Sequence, residues 1–292
     1  MEAIFVILNS QCTKECPYCF YNTGHQKKRQ QYLTTDSIMS FISPLKMKGL
    51  QSVILTGGEP LLFKELPVLI ENLAREGLYS LLITNGDLLT DEKIDEITQK
   101  GISSISVSLH IEKDDEHLLE DKMFTTSSKI SLPLTFIFTL TIPNYKLAGK
   151  AVKIAKKLGR GLILQHAFIP HYSKQFKELS LRHLFNERKD LFKKFREEIL
   201  EWSNAYNCIE YANLFLSFFS GRKEKPQFCP MGTDIMVLNC DGKLVPCFHR
   251  EDLHLGNIFN DDISSIVENR RKFSNILCNA ECFGEHCVSL FA

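Results

Sequence analysis

Residues 3–19 read AIFVILNSQCTKECPYC, and this stretch decides how the rest of the chain is parsed. Its first part, AIFVIL at 3–8, is apolar on both faces, as a strand in a parallel sheet covered by helices must be. Directly after it stand Cys12, Cys16 and Cys19 in a C-x-x-x-C-x-x-C loop. Three thiolates on one tight loop can hold three corners of an iron–sulfur cube and leave the fourth iron open to another ligand. Zinc is the alternative occupant. Structural zinc wants four ligands, and the nearby fourth candidate is His25.

Outward from this stretch the chain repeats the pattern. Further β-rich runs lie at 52–55 (SVIL), 80–83 (SLLI), 103–109 (SSISVSL), 134–140 (LTFIFTL) and 161–167 (GLILQHA). After a first gap of 49 residues, which contains the thiol loop, their starts fall 23 to 31 residues apart, the scale of repeated βα units. Helix signals fill the intervals. Thr35-Asp36 opens one helix that runs toward Gly49, Thr90-Asp91 opens another, and 145–158 shows an i, i+3, i+4 apolar face before Gly159. Six units predict an α/β fold, a partial (β/α)6 TIM-like barrel with its functional loops at the C-terminal strand ends; a doubly wound open sheet would give a similar pattern. From 174 to 219 the chain reads as helical and charged, ending in LFLSFF. The segment GRKEKP at 221–226 reads as a linker, which predicts a main domain over 1–220 and a small cysteine-rich domain over 221–292.

Composition narrows the class. The chain has 292 residues, 44% hydrophobic and 24% charged, which are globular proportions. Lys plus Arg and Asp plus Glu are each 35, so the chain lacks the basic footprint of a nucleic-acid binder. No apolar run reaches the ~18–20 residues of a membrane helix, and the opening MEAIFVIL lacks the basic start of a signal peptide. Ten cysteines in such a chain point to the cytoplasm, where clustered thiols hold metal or do chemistry. Three lie in the first loop, and Cys208, Cys229, Cys240, Cys247, Cys278, Cys282 and Cys287 crowd the end.

A second motif follows the second β-run: Thr56-Gly57-Gly58-Glu59-Pro60. Its glycines let a ligand approach the backbone closely, and Glu59 can accept hydrogen bonds from a cation. The thiol loop and this turn together resemble the radical S-adenosylmethionine (radical SAM) superfamily, over about residues 3–167. The resemblance implies a partial barrel in which Cys12, Cys16 and Cys19 bind a 4Fe–4S cluster whose open iron chelates SAM. It implies that Glu59 and the Gly57–Gly58 backbone hold the SAM ammonium and that Tyr18 lies against the adenine. Thr84-Asn85-Gly86 fits the family's turn after the third strand, and Ser108 matches a ribose-contacting serine. Where the family often has an acid two residues later, this chain has His110. The segment 139–144 and Gln165 are further candidate cofactor or substrate contacts.

The tail resembles the auxiliary-cluster extension called SPASM, or its shortened Twitch form, over about 228–287. The carriers are Cys229-Pro-Met-Gly, the Asp241-Gly242 turn between apolar runs, Pro246-Cys247, and Leu255-Gly256-Asn257-Ile258 with a following helix. Asp-Gly between apolar runs is a hairpin signal in its own right. The resemblance implies one auxiliary 4Fe–4S cluster on Cys229, Cys247 and two of Cys278, Cys282 and Cys287, with tetrahedral zinc as the alternative. Cys208 and Cys240 remain as structural thiols or hydrogen-atom donors. His166 reads as a core histidine, His171 as a candidate substrate contact, and 215–219 as core.

The expected activity is that of a radical SAM oxidoreductase or maturase. It would cleave SAM to a 5′-deoxyadenosyl radical and modify a ribosomally made peptide or protein side chain by oxidation or cross-linking. The alternatives are a dehydrogenase of a sugar-like or cofactor-precursor small molecule, a peptide epimerase, and a non-enzymatic zinc module. Expected partners are the peptide or small-molecule substrate and an electron donor such as flavodoxin or ferredoxin, with neither nucleic acid nor membrane.

Overall fold

The computed structural model describes residues 2–22, 29–220, 231, 234–248, 250 and 252–269. Six strands fall where the apolar runs are: β1 (Ala3–Ile7), β2 (Ser52–Thr56), β3 (Tyr79–Thr84), β4 (Ser104–Leu109), β5 (Leu134–Leu140) and β6 (Gly161–His166). Between them lie α1 (Thr35–Lys46), α2 (Leu66–Arg75), α3 (Asp91–Gln99), α4 (Glu116–Lys129) and α5 (Ala148–Leu158). Then come α6 (Phe176–Leu179), α7 (Leu181–Glu187), α8 (Lys189–Tyr206) and α9 (Ile209–Ser220), followed by β7 (Ile235–Leu238), β8 (Lys243–Val245) and β9 (Gly256–Asn257). The hydrogen-bonded strand order is β6-β5-β4-β3-β2-β1-β7-β8-β9. From β1 to β6 each strand lies beside its predecessor, whereas a doubly wound sheet reverses direction at a switch point. The expected α/β fold with a mostly parallel sheet is the observed one.

Contacts divide the chain into two units, and the division does not fall at residue 220. The first comprises the described residues of Met1–Thr13, Lys28–Ser106 and Gln227–Cys282. Here β1 pairs in parallel with β2, Val6 opposite Leu55, and β2 pairs in parallel with β3. Ile4, Val6, Leu8, Val53, Leu55 and Leu82 are fully buried, each burial contributing roughly 1.5–3 kcal/mol. The Thr90 signal is the observed cap of α3, while α1 is capped one residue before the expected Thr35. Thr34 caps α1 by accepting from Ser37 N while Ser37 returns a bond to the Thr34 N–H, and Thr90 caps α3 through Lys93 N.

The tail hairpin belongs to this unit. β7 lies parallel against β1, Val6 opposite Leu238, and β8 returns antiparallel to β7 through the turn at Asp241-Gly242. Gly242 takes φ 82, and a Cβ there would stand 2.4 Å from the Phe259 ring, so both conformation and space demand glycine.

The second unit comprises the described residues of Lys14–Lys27, Val107–Pro226 and Phe283–Ala292. β5 and β6 pair in parallel, Phe138 opposite Leu164, with α5 packed on them and α8 on α5. Gly159 ends α5 in the left-handed conformation, φ 64. Trp202 on α8 is fully buried and donates through Nε1 to the Leu162 carbonyl at 3.0 Å. Tyr145, Phe185, Phe195, Phe215 and Phe219 make edge-to-face and tilted ring contacts, which puts Phe215 and Phe219 in the core. Among the described residues, no helix is long and apolar enough to cross a membrane.

Candidate active site

In the first unit the chemistry-bearing residues gather at the C-terminal ends of β1, β2 and β3. The β2 turn is sewn to the β1 loop by backbone: Gly58 N donates to Asn9 O at 2.8 Å and Glu59 N to Gln11 O at 2.6 Å. Asn9 Nδ2 adds a bond to the Glu59 carbonyl at 2.9 Å. This closeness explains the glycines. A Cβ on Gly57 would lie 2.7 Å from Asn9 O, and one on Gly58 would lie 2.0 Å from Gln11 O. The space beside their α-carbons is therefore taken by the loop that leads into Cys12, a packing reason for glycine that sequence reading did not supply.

Glu59 is fully buried. Its carboxylate accepts from Thr84 Oγ1 at 2.6 Å, Asn85 N at 2.9 Å and Leu61 N at 3.1 Å. Burial raises its pKa above the ordinary carboxylate value, and these three donors act in the opposite direction. Three protein donors make Glu59 a brace between the β2 and β3 turns. Asn85 in turn directs Nδ2 at Cys12 Sγ, 3.6 Å away, and at Thr13 Oγ1, 3.0 Å away. Cys12 is exposed.

In the second unit Cys16 is buried and Cys19 half-buried, in a turn closed by Cys19 N donating to Cys16 O at 3.0 Å. Asn22 Nδ2 bonds the same carbonyl at 2.9 Å. His110, just past β4, brings Nδ1 to 3.2 Å from Cys16 Sγ and 3.0 Å from the Tyr18 hydroxyl. Burial, then the negative charge of Cys16 and Glu112, pushes the Tyr18 phenol well above its ordinary pKa. Ser108 is half-buried at the end of β4. Gln165 donates to Thr139 Oγ1 at 2.9 Å, tying β6 to β5. His166 is a core histidine, buried against Phe215 and Phe219 and depressed to about 4 by that burial.

The remaining thiols separate by place. Cys240 is fully buried in the hairpin turn, its Sγ 3.9 Å from the carbonyls of Arg29 and Gln30, and burial pushes its pKa up to about 11. Beside it Arg29 pairs with Asp241 at 2.7 Å. Those contacts are what a packed structural thiol makes. Cys208 follows α8, whose Tyr206 hydroxyl bonds the Arg160 carbonyl and whose Trp202 bonds Leu162. Both carbonyls lie at the N-terminal end of β6, so the end of α8 that precedes Cys208 sits at that end of the strand. Cys247 is buried just after β8. Cys229, Cys278, Cys282 and Cys287 lie outside the described residues.

Among the described residues no three His, Cys, Asp or Glu side chains converge on a single-ion site. The first loop supplies thiols, the ligand type an iron–sulfur cluster takes; in the first unit Asn85 Nδ2 is directed at Cys12 Sγ, and in the second His110 Nδ1 stands 3.2 Å from Cys16 Sγ.

Comparison with known proteins agrees. The family model described as the radical SAM superfamily matches residues 6–132, and that of an iron–sulfur cluster-binding domain, SPASM, matches residues 229–287. Residues 6–132 are thus a radical SAM domain and residues 229–287 a SPASM domain. The chain's cofactors are therefore S-adenosyl-L-methionine and 4Fe–4S clusters, and the SPASM match covers Cys229 through Cys287.

The chain is similar to a PqqA peptide cyclase of Bradyrhizobium diazoefficiens, 33% identical over 106 residues, 36% of this chain and 28% of that protein. It is also similar to a probable GTP 3′,8-cyclase of Pyrobaculum aerophilum, 29% identical over 110 residues, 38% of this chain and 35% of that protein. The matches thus span about a third of these curated relatives' length. Among solved structures, Streptococcus suis SuiB bound to precursor peptide SuiA aligns with a TM-score of 0.67 at 14% identity, covering 91% of this chain and 64% of that one. The structure of anSMEcpe with bound AdoMet aligns with a TM-score of 0.63 at 19% identity, covering 94% and 83%. These two alignments establish the fold.

Proposed function

We propose that this radical SAM protein removes a hydrogen atom from a side chain of a ribosomally made peptide or protein and yields an oxidised or cross-linked product. Cys12, Cys16 and Cys19 hold the catalytic cluster, and the observation that carries the reading is this thiol loop following β1 beside the Glu59 brace. When bound and reduced, the cluster supplies the electron that cleaves SAM to methionine and a 5′-deoxyadenosyl radical. The chain's own residues do the holding. Glu59 locks the β2 and β3 turns together, so that the Gly57–Gly58 backbone is fixed where the SAM ammonium binds. Tyr18, Asn85, Ser108 and Gln165 are assigned to the remaining cofactor contacts.

Residues 221–292 form the auxiliary segment, against 1–220 for the catalytic one. One auxiliary cluster binds Cys229, Cys247 and two of Cys278, Cys282 and Cys287. With all four positions taken by thiolates it has no open iron, which suits it to accept the second electron of a net oxidation. An electron donor such as flavodoxin or ferredoxin reduces the protein, in the cytoplasm.

The similarity to PqqA peptide cyclases, and the fold shared with a structure bound to a precursor peptide, support a peptide substrate. A small-molecule substrate is the second reading, favoured by the similarity to GTP 3′,8-cyclases. The test is anaerobic incubation with SAM, reductant and candidate precursor peptides, followed by mass spectrometry. A peptide lighter by two hydrogens is expected. Turnover of nucleotides or sugars with every peptide untouched would overturn the peptide reading, and a peptide of unchanged mass carrying solvent deuterium would make the protein an epimerase.

A further inference from the structure

The position two residues after Ser108 carries an imidazole, and that imidazole faces a sulfur. His110 Nδ1 lies 3.2 Å from Cys16 Sγ and 3.0 Å from the Tyr18 hydroxyl, with the His110 and Tyr18 rings within 10° of parallel. His110 is half-buried, and its backbone carbonyl accepts from Lys122 Nζ at 3.2 Å, which fixes the chain where it leaves β4.

We propose that His110 is a positioning residue that donates a hydrogen bond from Nδ1 to the Cys16 thiolate and thereby raises the reduction potential of the cluster on Cys12, Cys16 and Cys19. The inference rests on those three cysteines being the ligands. Reduction adds one negative charge to the cluster, and that charge is shared by the ligating sulfurs. An N–H aimed at a sulfur therefore stabilises the reduced form more than the oxidised one. A carboxylate at 110 would have the opposite effect, because it has no proton to donate and brings a charge of the same sign. Shielding also matters. Cys16 is buried, so the hydrogen bond acts where water competes little and its effect on the electron is large. The histidine thus acts through the ligand.

The test is a redox titration of the anaerobically reconstituted full chain, following the reduced-cluster resonance signal that changes when SAM is added. That signal isolates the cluster with the open iron from the auxiliary one. With His110→Phe, the ratio of reduced to oxidised cluster at a fixed solution potential should fall about tenfold, equal to ~59 mV for one electron. His110→Asn, whose amide nitrogen takes the place of Nδ1, should restore most of the ratio. His110→Gln, whose amide reaches the place of the other ring nitrogen, should not. An unchanged ratio in His110→Phe with iron content retained would overturn the proposal, as would equal rescue by Asn and Gln. If His110→Phe loses its iron, the Asn and Gln variants decide by the same comparison. A wild-type chain with no SAM-responsive cluster would instead remove the ligand assignment on which the proposal stands.

Discussion

Replacing Gly58 with alanine should damage the protein without touching any ligand. The added Cβ would stand 2.0 Å from Gln11 O, 2.6 Å from Gln11 C and 2.9 Å from Ser10 C, all backbone atoms that cannot rotate aside. Ordinary contact begins near 3.4 Å, so the loop must retreat by about 1.4 Å. That retreat breaks the bonds from Gly58 N to Asn9 O and from Glu59 N to Gln11 O. Overpacking of this kind costs about 1–3 kcal/mol. The two lost hydrogen bonds add about 1 kcal/mol each, for a total of about 3–5 kcal/mol. Gly57→Ala should cost less, since its closest approach is 2.7 Å. Gly159→Ala is the control: nothing lies within 4 Å, and only left-handed strain remains, about 1–2 kcal/mol. Urea unfolding of the three variants gives the order directly. Because Cys12 follows Gln11, Gly58→Ala should also reconstitute with less iron than wild type. A Gly58→Ala protein no less stable than Gly159→Ala would refute the reasoning.

Three further outcomes are expected. Reconstituted protein should hold about eight irons per chain as two four-iron clusters, and the Cys12, Cys16, Cys19 triple alanine variant about half; iron and sulfide analysis checks both. His166 is held near 4 against an ordinary 6.5, so its contribution to stability is complete above pH 6.5. As pH falls toward 4 the unfolded chain takes up a proton that the folded one does not. Wild type should then lose about 1.4 kcal/mol per pH unit relative to His166→Phe, measured by denaturant titration at each pH. Cys208→Ala should leave iron content and product unchanged. Loss of solvent deuterium from the product of that variant would instead make Cys208 a hydrogen-atom donor.

Much of the fold was legible because each sheet strand carries its own signal. The runs at 134–140 and 161–167 are apolar over their length, and their observed ends fall within a residue of the reading. Thr90 announces the start of α3 locally, through a side chain that bonds Lys93 N, whereas α1 is capped by Thr34, one residue before the Thr35 signal. The pairing of β7 with β1 was not legible. IMVL at 235–238 reads as one arm of a hairpin, and nothing within it names β1, more than two hundred residues earlier, as its other neighbour. The candidate site divides in the same way. Cys12, Cys16, Cys19 and the Gly57–Glu59 turn are contiguous motifs and could be read directly. The bond from Thr84 to Glu59 spans 25 residues with no spacing rule behind it, so the two turns looked like separate ligand contacts. His110 stood out as a departure from the resembled pattern, but only coordinates put its nitrogen against Cys16.

The central claim is that the thiol loop after β1 holds a cluster that cleaves SAM. The direct measurement is 5′-deoxyadenosine released by the anaerobically reconstituted chain with reductant and SAM, for wild type and for the variant with Cys12, Cys16 and Cys19 all replaced by alanine. The account predicts release by wild type and none above background by the variant, with the auxiliary iron still present. Continued release by the triple variant, or none by a fully loaded wild type, would contradict it.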